Sequence, residues 1–339
     1  METLSVIWFL LVVVLLAVYV VLDGFDFGVG ILSLFRKDDN EKRIYMNSIG
    51  PIWDGNEVWL IAGGGSIFAA FPLVYATAFS GFYLAIYLLL LALFMRAVSF
   101  EFRSKSESPV YRKIWDFSFG IGSLLPALLL GVAFGNIMRG LPLNENKVFT
   151  GSFFELLNPY SVLIGLLSLI AFTMHGAIYL THKTDGELKD TNEKIATKLW
   201  MVVVVLYLAA TVATLFVSPF LFIGLTKNII FWVLFVALLA SIAMIPVSLK
   251  AKNNKNAFIF SSVMLASMFG ISAVSLFPRL IPSVTNLDYS LTIMNTSSST
   301  GTLTAMLIIA LVGMPFVAVY TIWIYRIFKG KTVLTKESY

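Results

Sequence analysis

Cysteine is absent from this 339-residue chain and histidine occurs only twice. The first absence excludes disulfides, iron–sulfur clusters and any haem or zinc held by thiolate. It carries no information on redox compartment, because there is no thiol to protect. Charge is also scarce: charged residues make up 13% of the chain against 58% hydrophobic ones. Together with a mean hydropathy of +0.87, this excludes a soluble globular domain. The net charge of +5 does not point to nucleic acid. The basic residues stand in clusters between apolar runs, as they do at a membrane face. No low-complexity tract or linker divides the chain. The opening METLS lacks a basic n-region and no small-residue cleavage pattern follows, so the first apolar run reads as a retained helix.

What the chain has in quantity is apolar length. Stretches near 6–33, 52–71, 74–96, 115–137, 158–181, 199–222, 229–249, 257–278 and 302–326 are each long enough to cross a bilayer, which takes about 20 residues. They predict an all-α integral membrane protein with nine transmembrane helices in one polytopic domain over 1–339. Nine helices fit two four-helix bundles and one extra helix. The second span is interrupted by Gly63, Gly64 and Gly65 and separated from the third by Pro72. Basic residues test the count: the segments 34–51, 96–114, 182–198, 250–256 and 326–339 hold 20 of the 24. Under the positive-inside tendency these face the cytoplasm. That requires 52–71 to cross, the N-terminus to lie outside and the C-terminus inside. The outward segments 138–157 and 279–301 read as plain solvated loops, with partner or lipid-surface contacts as the alternative.

Four carboxylates sit in or at the edge of these spans: Asp23, Asp26, Asp54 and Glu57. Ionisable groups at membrane depth are costly and mark an ion or proton route by default. Each pair is spaced by three residues and so shares a helix face, on the cytoplasmic side of the first two spans. Such groups suit a proton relay. The plainer alternative makes them helix-end acids paired with Arg36, Lys37 or Arg43, and spacing alone leaves both open. Arg96 and Glu101 bracket the cytoplasmic end of the third span, where snorkelling and a local ion pair account for them.

Trp53 fits an interfacial belt. Trp59, turned about 140° from Asp54 at 3.6 residues per turn, is either ordinary packing or the wall of an apolar tunnel. The spacings Gly24/Gly28 and Gly131/Gly135 and the GGGS run at 63–66 predict close helix approach. A nucleotide-binding loop does not fit apolar surroundings with no preceding strand. His175 and His182 lie on one helix about 10 Å apart, and a straight helix cannot bring two ligands to opposite sides of one iron. A single proximal histidine or a histidine–methionine pair stays open, and His182, beside Lys183 at the cytoplasmic boundary, reads as solvated. This chain is expected to bind no haem or metal by itself.

At WDGNEVWL (53–60) the chain resembles subunit II of the cytochrome bd quinol oxidases. DGFDFGVG (23–30), NSIGPIWDGN (47–56), FSGFY (79–83), GVAFGN (131–136), LLNP (156–159) and FPRLIPS (277–283) extend the likeness in order along the chain. The absence of an extra loop between the sixth and seventh spans resembles the shorter members, as in Gram-positive bacteria. The resemblance implies two four-helix bundles with a peripheral helix, in a heterodimer with subunit I of a bacterial cell membrane. Subunit I then holds two b-type haems and one d-type haem and oxidises quinol, and a very small third subunit often accompanies the pair. Dioxygen is reduced to water with cytoplasmic protons and without pumping. The resemblance further implies a proton route through Asp54, then Asp26 and Asp23, with Glu57 ranked lowest because relatives carry Gln there. It also implies an oxygen tunnel bordered by Trp59. Neither histidine matches a ligand pattern of the family. The alternative from intramembrane acids alone is a proton-coupled secondary transporter, which needs two inverted halves that the sequence does not show.

Overall fold

The computed structural model describes residues 2–335 and Ser338. Helix α1 (Glu2–Ser33) is followed by a short surface helix α2 (Asp39–Ile49), N-capped by Asp38, whose side chain accepts from the Glu41 amide. Then come α3 (Trp53–Ala70), α4 (Pro72–Gly81), α5 (Tyr83–Phe102) and α6 (Pro109–Arg139). The second half holds α7 (Pro159–Lys183), α8 (Gly186–Val217), α9 (Ile229–Lys250) and α10 (Asn254–Leu276). A two-residue-deep hairpin, β1 (Arg279–Ile281) against β2 (Leu291–Thr292), leads through α11 (Ile293–Thr296) to α12 (Thr300–Ile327). Among the described residues eight helices are long and apolar enough to cross a membrane. The bent pair α3–α4, counted as one span, makes nine.

The second and third spans depart from the expected boundaries. The GGGS run is helical and lies inside α3, while the chain breaks at Phe71–Pro72 and turns by 118° into α4. Proline has no amide hydrogen to continue α3, but its fixed φ suits the first turn of the next helix. The run expected as the third span, 74–96, is thus divided between α4, which is bent away from α3, and α5, which begins at Tyr83.

Helices α1, α3, α5 and α6 form one packed group and α7 to α10 a second, joined where α1 and α6 lie along α7. None of the most apolar stretch of α12 is buried within this chain, so α12 is the peripheral helix. The two groups approach closely at a glycine crossing. A Cβ on Gly28 would collide with the Phe172 carbonyl oxygen and approach Gly176 Cα to 2.8 Å. Backbone cannot yield as a side-chain tip can, so Gly28→Val is expected to destabilise the folded chain by at least 1–3 kcal/mol, roughly the cost of overpacking. Thermal unfolding in detergent checks this; an unchanged midpoint would contradict the crossing.

The outward loops are not plain solvated segments. Leu141 and Leu143 pack with Ile281, Leu291 and Ile293 under the ends of α1 and α4, in a core that includes Trp8 and Phe71. The Leu141 amide donates to the Pro282 carbonyl (2.9 Å), and Trp8 Nε1 donates to the Leu303 carbonyl (3.0 Å). The loops are mixed: Leu141, Leu143, Leu156, Ile281, Leu291 and Ile293 are buried while Val148, Phe154 and Leu157 stay exposed. Pro278 and Pro282 keep the segment extended where the rest of the chain is helical.

Candidate functional site

The site is built on one guanidinium. Arg96 lies two-thirds along α5, where α6 comes close. A Cβ on Gly122 of α6 would meet the Arg96 amide nitrogen at 2.6 Å, so glycine lets α6 close over this turn. The Arg96 side chain is 0% exposed and its Nη2 donates to Asp23 Oδ1 (2.7 Å) and Glu57 Oε1 (2.8 Å). Phe27 packs 4.5 Å from its Cζ and Trp53 5.8 Å, two aromatic faces that favour a cation. Trp53 is held in turn by stacking on Phe100 at 4.9 Å.

Asp26 sits one turn beyond Asp23 and is fully buried. Its partner is Asn56, whose Nδ2 donates to Asp26 Oδ2 at 2.7 Å; Asn56 Oδ1 accepts from the Tyr325 hydroxyl at 2.9 Å. The last helix thus reaches the same cluster as the first. Asp23 Oδ2, Asp26 Oδ1, Arg96 Nε and Nη1 and the Tyr19 hydroxyl are buried polar atoms with no hydrogen-bond partner. Natural interiors leave few such atoms, and a row of them along one face of α1 can hold water or pass a proton. Two buried acids and the half-buried Glu57 outnumber the single cation they surround.

The structure therefore brings Asp23, Asp26 and Glu57 together and leaves Asp54 apart. Asp54, in the first turn of α3, is exposed on the outer face of that helix. Val58, Ile61 and Phe68 continue the same exposed face, and Gly55, Gly64 and Gly65 have nothing within 4 Å of a built Cβ. Among the described residues no ion pair joins Arg36 or Lys37 to these acids. Arg36 reaches Glu41 (3.8 Å) and Arg43 donates to the Ser338 carbonyl (3.2 Å). Arg96 neither snorkels nor pairs with Glu101; it is the counter-ion of the site. The signal was available, since three acids at membrane depth require a cation and Arg96 stands inside an apolar run. Asn56 and Tyr325 were not singled out.

Outside the spans, a second charged group ties α2 to the ends of α5 and α6. Arg103 donates to Asp116 and Asp39 (2.5 Å each), and Lys42 reaches Asp116 at 3.0 Å. Tyr45 of α2 donates to Asn192 Oδ1 (2.6 Å), and burial pushes its phenol up to about 12, so it remains a donor throughout the physiological range.

Trp59 is buried in the main core with its indole Nε1 unpartnered. A cavity of about 570 Å³ opens between α1, α6, α7, α8 and α10; Tyr19, Leu60, Phe134, Phe172 and Met268 are among its walls, and Trp59 is not. His175 is fully buried and both ring nitrogens are engaged, Nδ1 with Ser261 Oγ (2.7 Å) and Nε2 with the Val21 carbonyl (3.1 Å). It ties α7 to α1 and α10 and offers no free nitrogen to an iron. His182 is half-buried against the Phe258 ring rather than solvated. Among the described residues no three metal-ligating side chains converge. His175 is thus unavailable to an iron, while His182 Nε2 has no hydrogen-bond partner among the described residues.

These features define a multi-pass membrane protein that carries a buried acid–arginine cluster. The family model described as cytochrome bd terminal oxidase subunit II matches residues 4–328, and the chain belongs to that family. It is 38% identical to the cytochrome bd-I ubiquinol oxidase subunit 2 of Escherichia coli (strain K12), over 99% of this chain and 97% of that one. It is also 38% identical to the probable cytochrome oxidase subunit 2 of Haemophilus influenzae, over 97% of this chain and 95% of that one. The cytochrome bd ubiquinol oxidase subunit 2 of Bacillus subtilis is 37% identical over 99% of both chains. That alignment runs over 338 residues against 370 for Escherichia coli, so the extra positions belong to the longer relative. The fold matches the solved bd oxidase from Geobacillus thermodenitrificans with a TM-score of 0.81 at 19% identity, covering 96% of this chain and 98% of that one. The chain is thus a terminal oxidase subunit of the bacterial cell membrane, part of an oxidoreductase complex, and not a stand-alone transporter. Haem belongs to that complex, and a subunit I partner is implied by the relatives' names.

Proposed function

We propose that this subunit carries protons from the cytoplasm toward the haem-bearing partner through Asp54, Glu57, Asp23 and Asp26. The observation that supports it is the buried cluster itself. One guanidinium balances one carboxylate, and each further buried charge costs several kcal/mol unless neutralised. A proton taken up or released by the surplus acid is the least costly response, and the unpartnered oxygens of Asp23 and Asp26 lie where it can be received. Arg96 fixes the two nearer acids in place, and Asn56 fixes the third.

Asp54 enters the same reading from outside. A carboxylate exposed on a membrane-spanning helix is too costly to leave against lipid, and open glycines beside it allow a neighbouring helix to come close. We assign the outer face of α3 to subunit I, so that Asp54 lies at the boundary between the subunits on the cytoplasmic side. The basic-residue distribution supports this orientation, with the N-terminus outside and the C-terminus inside. In the complex, subunit I oxidises quinol and reduces dioxygen to water, holding two b-type haems and one d-type haem. The present chain adds scaffold and proton access without pumping, and a very small third subunit can join the pair. Trp59 is included as a wall of an oxygen path on the strength of its motif and its apolar burial.

Asp54→Asn tests the entry. Turnover of the purified complex with quinol is expected to fall severalfold while the haem spectrum keeps its amplitude. Among the described residues the Asp54 side chain makes no hydrogen bond or ion pair and is exposed, so a folding defect is not expected. Full turnover in that variant would remove Asp54 from the route.

A further inference from the structure

The opposite end of the molecule holds a second charged recess, unrelated to the acid cluster. Arg139, the last residue of α6, and Glu155, in the turn before α7, line one half-open cavity of about 350 Å³ with Phe149, Phe154, Asn136 and Asn158. This volume lies within the range of small-molecule sites, about 300–1,000 Å³. Arg139 has no ion pair or hydrogen bond among the described residues. Glu155 has only the Ser152 hydroxyl, at 3.3 Å. Two opposite charges therefore share a recess without pairing. Helix capping does not occupy Arg139, because the Gly140 amide already donates to the Asn136 and Ile137 carbonyls.

The walls are fixed. Asn136 is buried and its Nδ2 donates to the Val132 (2.9 Å) and Leu156 (2.7 Å) carbonyls, while Asn158 Nδ2 donates to Asn136 Oδ1 (3.0 Å). The turn carrying Glu155 is thereby pinned to α6, which spares a ligand the cost of ordering it. Depth is set by Phe154, 80% exposed, and Leu157, 45% exposed, on either side of Glu155. At the end of two membrane helices, apolar side chains this open belong at the boundary between headgroups and acyl chains.

We infer that the Arg139–Glu155 recess binds the headgroup of a zwitterionic phospholipid, phosphate on Arg139 and ammonium on Glu155. Guanidinium is suited to phosphate through two parallel N–H donors. The carboxylate takes the ammonium, and the Phe149 and Phe154 rings line the same recess and are suited to a cation. The leaflet is the one at the N-terminal end of α1, since α6 ends beside the hairpin that packs on Trp8.

Native mass spectrometry of the delipidated whole complex, titrated with phosphatidylethanolamine, phosphatidylglycerol or inorganic phosphate, tests this. The wild type is expected to retain phosphatidylethanolamine about tenfold better than phosphatidylglycerol, about what one charge-assisted contact supplies. Arg139→Gln should lower that retention about tenfold and Arg139→Lys should recover part of it. Glu155→Gln should abolish the preference between the two lipids. An unchanged haem spectrum in each variant shows that the complex has assembled. The inference is overturned by equal retention of both lipids in the wild type, or by variants that bind as the wild type does. It is also overturned by displacement of phosphatidylethanolamine by inorganic phosphate at matching concentration, which would make the recess a free-anion site.

Discussion

Arg96→Gln is expected to lower the stability of the assembled complex by about 3–5 kcal/mol, the typical cost of removing one partner from a buried ion pair. The reason is the arithmetic of charge around one side chain. Arg96 is the cation bonded to both Asp23 and Glu57, and its removal leaves acids on α1 and α3 facing each other without a counter-charge. Those helices and α5 should then part at their most tightly buried turn. Yield of haem-loaded complex and its thermal midpoint in detergent measure the effect. The triple variant Arg96→Gln, Asp23→Asn, Glu57→Gln removes the whole charged group and should recover much of the loss, because neighbouring effects of this kind do not add. If the single variant were as stable as the wild type, Arg96 would not be the anchor of the cluster.

Asp26→Asn should separate proton transfer from folding. Asparagine can still present an oxygen to Asn56 Nδ2, so the 2.7 Å contact to α3 survives with the Tyr325 link behind it. The amide cannot take up a proton. Quinol-driven oxygen consumption is expected to fall at least tenfold, since a positioned acid or base typically contributes about 10²–10⁴-fold, with haem content and thermal midpoint near the wild type. Asp26→Glu should restore part of the rate. Equal loss of rate and of haem in Asp26→Asn would instead mark Asp26 as a packing residue.

Much of the fold is legible from apolar length alone, because every backbone group in lipid must bond within its own helix. The boundaries of α1, α7, α9 and α12 follow directly from their apolar runs. The broken span is only half legible: Pro72 announces a stop, but nothing local says that 72–81 bends away from α3 before α5 begins. The site is less so. Asp23 and Asp26 stand out as acids in an apolar run, whereas the ion-pair partner of Asp23 lies 73 residues away on another helix. Against its own helix Arg96 looks like an interfacial residue; only the surplus of acids on other helices marks it as their counter-ion. Asn56 is inside the WDGN motif yet carries no charge to draw notice. The outer loops mislead for a related reason, since their Ser, Thr and Asn content conceals Leu141, Leu143, Leu291 and Ile293, which are buried.

Proton uptake during a single oxygen pulse bears most directly on the buried acids. The reduced complex, reconstituted in liposomes with a pH dye on the cytoplasmic side, is compared with its Asp26→Asn variant at equal haem content. Uptake slowed at least tenfold, with the preceding haem absorbance change at its normal rate, is the result that follows from a relay through α1. Uptake at the wild-type rate would show that protons reach the partner subunit without passing Asp26.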